Sequence, residues 1–219
     1  MRSKLNLPAE ANLYVILDTA VNAPAELIAV AESCAGAGVD VLQLRDKAGN
    51  ARETLELAVR LRQTIRGRAL YIVNDRVDIA LAAEAGGVHL GQDDFPVAAA
   101  RTILGPGAVI GVSCQNFEHA RKAAADGADY IGFGSVFKTL TKPDRRPMDL
   151  SLLEKVCREV EIPVFAIGGI RLDNIAPLRD RGVSRFAVCR DVCLADDPGR
   201  AARKYKETIS GSLLPGTSG

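Results

Sequence analysis

Val39-Asp40-Val41-Leu42-Gln43-Leu44 runs into Arg45-Asp46-Lys47 and then into a segment over 52–65 that carries Leu55, Val59 and Arg62 at helical spacing. The apolar run is short and nearly continuous, as in a strand buried on both faces of a parallel sheet. Comparable runs recur at 13–18, 69–74, 87–91, 109–113, 128–134, 163–169 and 185–189. Helical patterns lie between them at 25–37, 79–85, 98–104, 117–126, 150–160, 172–181 and 197–209. Eight strand signals alternating with eight helix signals indicate repeated βα units. An open doubly wound sheet is compatible with that order, but so many repeats in 219 residues suit a closed (β/α)8 TIM barrel better. The expectation is a single barrel domain over 13–209, with an N-terminal extension over 1–12 and a flexible tail over 210–219.

Composition narrows the class without naming the chemistry. The 28 Lys and Arg against 27 Asp and Glu leave a net charge of +1, which gives no general electrostatic reason to bind nucleic acid or an anionic membrane. No apolar run approaches the roughly 18–20 residues that cross a bilayer. Met1 to Glu10 lacks the apolar core of a signal peptide. Cys34, Cys114, Cys157, Cys189 and Cys193 are odd in number and form no CxxC pair, so neither a disulfide framework nor a zinc site is expected. These features predict a cytoplasmic, enzyme-sized domain without nucleic-acid or membrane partners, and leave a homodimer open.

A barrel predicts where to look, because ligands bind where strands end and βα loops begin. Strand alternation points Gln43, Arg45 and Lys47 to one side, and two cations beside an amide suit a phosphate or diphosphate. A surface loop with an Arg45–Asp46 pair reads those residues as well. The third strand ends Asn74-Asp75-Arg76 and the fourth Gly91-Gln92-Asp93-Asp94. Each Asp is a helix-capping candidate. Taken together, Asp75 and one of Asp93 or Asp94 suggest Mg²⁺ held by oxygen ligands and shared with substrate phosphates. Ser113 ends the fifth strand and either contacts a ligand or caps the next helix. The Gly, Thr and Lys residues of 133–144 read as an anion cradle or an exposed polar loop, and Gly168 and Gly169 as a backbone phosphate contact or a tight turn. His89 and His119 read as structural or surface residues, so the chemistry is expected to rest on cations, metal and electrostatics.

These motifs, in this order, resemble the thiamine-phosphate synthase (thiamine-phosphate pyrophosphorylase) family. The resemblance runs from Leu13 to Val192 through Gln43-Leu44-Arg45-Asp46-Lys47, Asn74-Asp75-Arg76, Gly87-Val88-His89-Leu90-Gly91-Gln92, Ile110-Gly111-Val112-Ser113, Gly127-Ala128-Asp129-Tyr130-Ile131-Gly132, Thr139 with Thr141-Lys142, and Ile167-Gly168-Gly169-Ile170. It implies a Mg²⁺-assisted transferase that joins a hydroxymethylpyrimidine diphosphate to a thiazole phosphate and releases diphosphate. By the same resemblance Gln43, Leu44, Arg45, Asp46, Lys47, Asn74, Ser113 and Lys142 hold the pyrimidine diphosphate, with Arg45, Lys47, Ser113 and Lys142 catalytic. Asp75 and Asp94 hold the metal. Thr139, Leu140, Thr141, Gly169, Cys189 and Arg190 hold the thiazole phosphate. The implied reaction is dissociative: diphosphate leaves first, and the thiazole nitrogen captures a pyrimidine-stabilised carbocation.

Two positions depart from the family pattern. Arg190 stands where a small hydroxyl residue is usual, and Pro147-Met148-Asp149 replaces the usual Pro-x-Gly. Arg190 either binds phosphate or turns outward to pair with Asp191. Two other readings remain. A thiazole tautomerase shares the barrel but uses a His shortly after the fifth-strand Ser, where this chain has Cys114-Gln115-Asn116. A non-catalytic phosphate-binding barrel is the other, and Arg190 keeps it open.

Overall fold

The computed structural model describes residues 7–139 and 147–211. The elements follow in the order β1 (Leu13–Asp18), α1 (Pro24–Gly36), β2 (Val41–Arg45), α2 (Ala51–Ile65), β3 (Leu70–Asn74), α3 (Val77–Ala82), β4 (Gly87–Leu90), α4 (Val97–Leu104) and β5 (Val109–Cys114). Then come α5 (Phe117–Ala125), β6 (Tyr130–Phe133), α6 (Leu150–Glu159), β7 (Val164–Ile167), a 3-10 turn (Leu172–Asn174), α7 (Ala176–Arg179), β8 (Phe186–Val188), α8 (Arg190–Cys193) and α9 (Pro198–Ser210). All strand pairs are parallel, and β8 pairs with β1 to close an eight-stranded barrel in sequence order.

The (β/α)8 expectation holds, and the local chemistry shows why. Asn50, Asn116, Asp149 and Asp197 each accept a backbone N–H at the start of α2, α5, α6 and α9. The single helix expected over 172–181 is instead a 3-10 turn followed by α7. Pro177 has no N–H to give the carbonyl of Asp173, so the chain restarts its winding there. The four-residue α8 was not anticipated from the sequence, being too short for a periodic signal.

Alternation along the strands divides the apolar residues into two layers. Leu13, Val15, Leu17, Leu42, Leu44 and their counterparts pack between sheet and helices. Tyr14, Ile16, Val41, Ile72, Tyr130 and Phe165 fill the barrel interior. Ala11 and Leu7 join the interior group, so the described part of the 1–12 extension packs against the barrel. Asp40 ties it down, accepting from the N–H groups of Asn12 and Leu13 at 2.9 Å and from Lys206 Nζ at 2.8 Å.

Two interior features set the shape of the mouth. Gly111 leaves space for the Tyr130 ring, since a Cβ there would lie 2.1 Å from its Cζ. Above it, β1 and β2 are tied by Arg45 Nη1 donating to Asp18 Oδ2 at 2.7 Å, with Asp18 fully buried. Gly111→Ala should destabilise the fold by about 2 kcal/mol through overpacking, read as a lower urea midpoint. Asp18→Asn should cost about 3 kcal/mol, because it leaves the Arg45 charge without its buried partner. A midpoint unchanged from wild type would contradict either account.

Candidate active site

A cavity of about 380 Å³ opens at the C-terminal ends of the strands. Its floor is aromatic. Tyr14, Tyr130 and Phe165 meet with ring centroids 5.4 to 5.9 Å apart. Gln43, Arg45, Asn74, His89 and Ser113 rise around that floor as inward-facing residues of β2 to β5.

The second-strand segment separates by alternation. Gln43 and Arg45 line the cavity, whereas Leu44 is buried between sheet and helices. The Asp46 carboxylate is taken up by its own loop, accepting from Thr54 Oγ1 at 2.7 Å, Thr19 Oγ1 at 2.8 Å and the Gly49 N–H at 2.9 Å. Burial pushes its carboxyl upward, but these hydrogen bonds outweigh burial and hold it below the usual range. Asp46 therefore shapes the loop that carries Lys47, and Lys47 forms an ion pair with Asp75. The surface-loop Arg45–Asp46 pair does not form, because Arg45 turns to Asp18.

Asp75 and Asp94 come together at the rim. Asp75 sits in the left-handed region with φ of 59°, a conformation Asp tolerates better than most residues, and its N–H donates to the His89 carbonyl at 2.8 Å. Burial raises the Asp75 carboxyl and its contact with Asp94 raises it further, with Lys47 opposing. Asp94 moves the other way. Burial raises it, but the hydrogen bond with Asp75, the Gly91 N–H at 2.6 Å and the Lys47 charge pull it down. Two carboxylates in contact strongly resist both being ionised unless a cation joins them. That is a donor set suited to Mg²⁺, which commonly takes one or two protein carboxylates and completes its shell with water and substrate phosphate. The capping alternatives fail: the N-cap positions of α3 and α4 are Arg76 and Pro96, neither making a side-chain cap, and Asn116, not Ser113, caps α5.

The opposite side of the mouth comes from β6 to β8. Gly168 and Gly169 have φ of 101° and 64°, and a Cβ on Gly169 would lie 2.6 Å from the Lys138 carbonyl. That close approach and backbone shape require glycine. Thr139, Gly169, Cys189 and Arg190 all line the cavity. Leu140, Thr141 and Lys142 lie outside the described residues. Arg190 makes no ion pair with Asp191 among the described residues, and Asp191 accepts instead from Tyr205 Oη at 2.5 Å. The departing Pro147-Met148-Asp149 segment is ordered by the Met148 N–H on the Ser135 carbonyl at 2.9 Å and by the Asp149 cap on α6.

Sequence reasoning did not single out Asp18, Tyr14 or Tyr130, and read His89 only as structural or surface. Gln43 Nε2 donates to Tyr14 Oη at 2.8 Å, and the Tyr14 and Tyr130 hydroxyls lie 3.0 Å apart. Tyr130 Oη is 3.0 Å from His89 Nδ1, whose Nε2 is 2.9 Å from Ser113 Oγ. The only sequence signal for this chain was polar residues at inward strand positions.

A family model described as "Thiamine monophosphate synthase" matches residues 13–192. A thiamine-phosphate synthase of Coprothermobacter proteolyticus is 39% identical over 210 residues, covering 95% of this chain and 100% of that relative. A thiamine-phosphate synthase of Gloeobacter violaceus is 43% identical over 203 residues; the match covers 92% of this chain but only 58% of that longer relative. The solved thiamine phosphate pyrophosphorylase of Pyrococcus furiosus superposes with a TM-score of 0.85 at 38% identity, covering 95% of this chain and 100% of that one. Because the family model spans 13–192 and the Coprothermobacter relative is covered along its full length, the chain belongs to the thiamine-phosphate synthase family.

Proposed function

We propose that the protein couples 4-amino-2-methyl-5-hydroxymethylpyrimidine diphosphate to a thiazole phosphate, giving thiamine phosphate and diphosphate. The observation that carries this reading is the rim itself. Arg45 lines an aromatic-floored cavity wide enough for a heterocycle, and just beyond the ends of β2 to β4 Lys47 pairs with Asp75, which touches Asp94. Cations and an acidic pair at the rim with an aromatic floor below match a diphosphate joined to a flat ring.

In this reading Gln43, Asn74 and Ser113 orient the pyrimidine, and Arg45 and Lys47 receive the diphosphate. As the carbon–oxygen bond breaks, its electron pair leaves with the diphosphate. Arg45 and Lys47 stabilise that growing charge most where it is greatest. Lys142 has the same role by resemblance. Asp75 and Asp94 would hold Mg²⁺, which when bound supplies further neutralisation of the diphosphate oxygens. The positive charge left on the pyrimidinylmethyl carbon is delocalised into its ring, and the thiazole nitrogen lone pair closes the new bond. Tyr14, Tyr130 and Phe165 exclude water beneath the reacting carbon. On the opposite wall Thr139, the Gly168–Gly169 turn, Cys189 and Arg190 receive the thiazole phosphate and hold its ring in line. Such a reaction needs charge neutralisation more than a strong base. The ligands on this reading are small phosphorylated molecules, and the five cysteines, all free thiols, fit a reducing cytoplasm.

The direct test is an assay with both heterocycles and Mg²⁺ in which thiamine phosphate and diphosphate are measured together. Equal formation of the two supports the reading, whereas tight binding without diphosphate release indicates a non-catalytic barrel. Asp75→Ala and Lys47→Ala should each lower kcat by roughly 100-fold, the usual scale for losing one group that stabilises developing charge. Near-normal rates would overturn the assignment of the rim to the leaving group. Arg190→Ser should raise the KM for the thiazole phosphate by about tenfold or more, on the scale of one charge-assisted hydrogen bond, and leave the pyrimidine KM alone. An unchanged thiazole KM would place the Arg190 guanidinium off that phosphate.

A further inference from the structure

The polar chain beneath the rim runs Gln43, Tyr14, Tyr130, His89, Ser113, and every member lines the cavity. Its five residues come from five different strands, so none of its bonds is a local one. Space for it is provided by glycines. A Cβ on Gly111 would lie 2.1 Å from the Tyr130 ring, and one on Gly132 would lie 3.2 Å from His89 Cε1. Burial pushes the Tyr14 and Tyr130 hydroxyls well above their ordinary range, so each keeps its proton.

The direction of hydrogen bonding is then constrained at one end. Gln43 Nε2 can only donate, so Tyr14 Oη must accept there. His89 Nδ1 either accepts from Tyr130 or carries a proton and donates to it, which leaves two cases. In the first, Tyr14 donates to Tyr130 and Tyr130 donates to His89 Nδ1. The ring proton then sits on Nε2 and donates to Ser113 Oγ, so the Ser113 hydroxyl points its own proton into the cavity. In the second, Nδ1 donates to Tyr130, so either Tyr130 or Tyr14 accepts twice and one buried phenol proton has no acceptor within the chain. Leaving a buried donor without a partner is unfavourable, so the first arrangement is the stable one.

We propose that His89 is a positioning residue of the synthase reaction. Held by Tyr130 as the Nε2–H tautomer, it makes Ser113 a hydrogen-bond donor toward the ligand, and so selects a ring nitrogen of the aminopyrimidine at that point. At the far end of the chain Gln43 gives its N–H to Tyr14 and keeps its carbonyl oxygen as an acceptor, suited to the exocyclic amino group. Donor at one wall and acceptor at the other match an aminopyrimidine in one orientation and mismatch it when flipped. The proposal rests on the reading that the pyrimidine diphosphate occupies this cavity.

The test separates hydrogen-bond polarity from packing. Calorimetry would compare the aminopyrimidine diphosphate with its two aminopyridine analogues, in each of which one ring nitrogen is replaced by CH. Wild type should bind one of the analogues about tenfold more weakly, the scale of one lost hydrogen bond in a buried site. His89→Leu and Tyr130→Phe should both reduce that preference to below about threefold, and raise the pyrimidine KM while the thiazole KM stays unchanged. Tyr130→Phe keeps the ring and so guards against a folding defect in His89→Leu. His89→Gln, which restores a donor toward Ser113, should recover most of the preference. Folded His89→Leu and Tyr130→Phe proteins that discriminate as wild type does would overturn the proposal. If wild type binds the parent diphosphate and turns it over but distinguishes neither analogue, the proposal fails while the synthase reading stands. If wild type neither binds the parent diphosphate nor releases diphosphate from it, the synthase reading fails and this proposal with it.

Discussion

The contact among Tyr14, Tyr130 and Phe165 is the constraint on which the mouth of the barrel depends. Eight parallel strands closed in a ring leave a central space that only side chains can fill. Three rings set edge to face and tilted against one another fill much of it, and Gly111 leaves the Tyr130 ring its place. What lies one pleat higher, Arg45, Asn74 and Ser113, borders open space in the centre and becomes cavity wall. The same rings thus terminate the core and begin the site.

Charge follows from this arrangement. A net charge of +1 would not mark this protein as a binder of polyanions. The mouth nevertheless carries paired charges, Arg45 with Asp18 and Lys47 with Asp75. The two pairs differ in what burial does to them. Asp18 is fully enclosed, so Arg45 is fixed in place and spends little conformational freedom on meeting a ligand. Lys47 is more than half exposed, and its partner Asp75 also touches Asp94, so this pair can be redistributed when a diphosphate arrives. One cation acts as a rigid anchor and the other as an adjustable one, which agrees with the different geometry of guanidinium and ammonium groups.

The barrel was legible in the sequence because a parallel strand buried on both faces leaves a local mark, a short apolar run ending in a polar residue. Gln43, Arg45, Asn74 and Ser113 were legible for the same reason, since each ends or nearly ends such a run. Asp18 also ends a run but was passed over, because its meaning lies in Arg45, 27 positions away. Tyr14 and Tyr130 sit 116 positions apart and look like any strand aromatic until the ring closes. The 172–181 segment shows the opposite failure. Its apolar spacing is helical, but Pro177 and the Asn174 side chain, which accepts from the Arg171 N–H and donates to the Gly169 carbonyl, divide it. Those bonds also support the Gly168–Gly169 turn, so the broken helix serves the cavity wall.

The position of His89 bears on the choice between synthase and tautomerase chemistry. The sequence lacks a histidine just after Ser113, yet the fold brings His89 from β4 to within 2.9 Å of the Ser113 hydroxyl. A general base must present a lone pair to the proton it removes. Both ring nitrogens of His89 are already engaged, Nδ1 with Tyr130 and Nε2 with Ser113, and the ring is buried with only 6% of its surface exposed. A substrate carbon would have to displace Ser113 to reach it. The imidazole therefore contributes by orienting a hydroxyl, a task compatible with a reaction driven by departure of a charged group. Proton abstraction from carbon would need the ring turned out of the chain, at the cost of two buried hydrogen bonds and of the Tyr130 packing that shapes the floor.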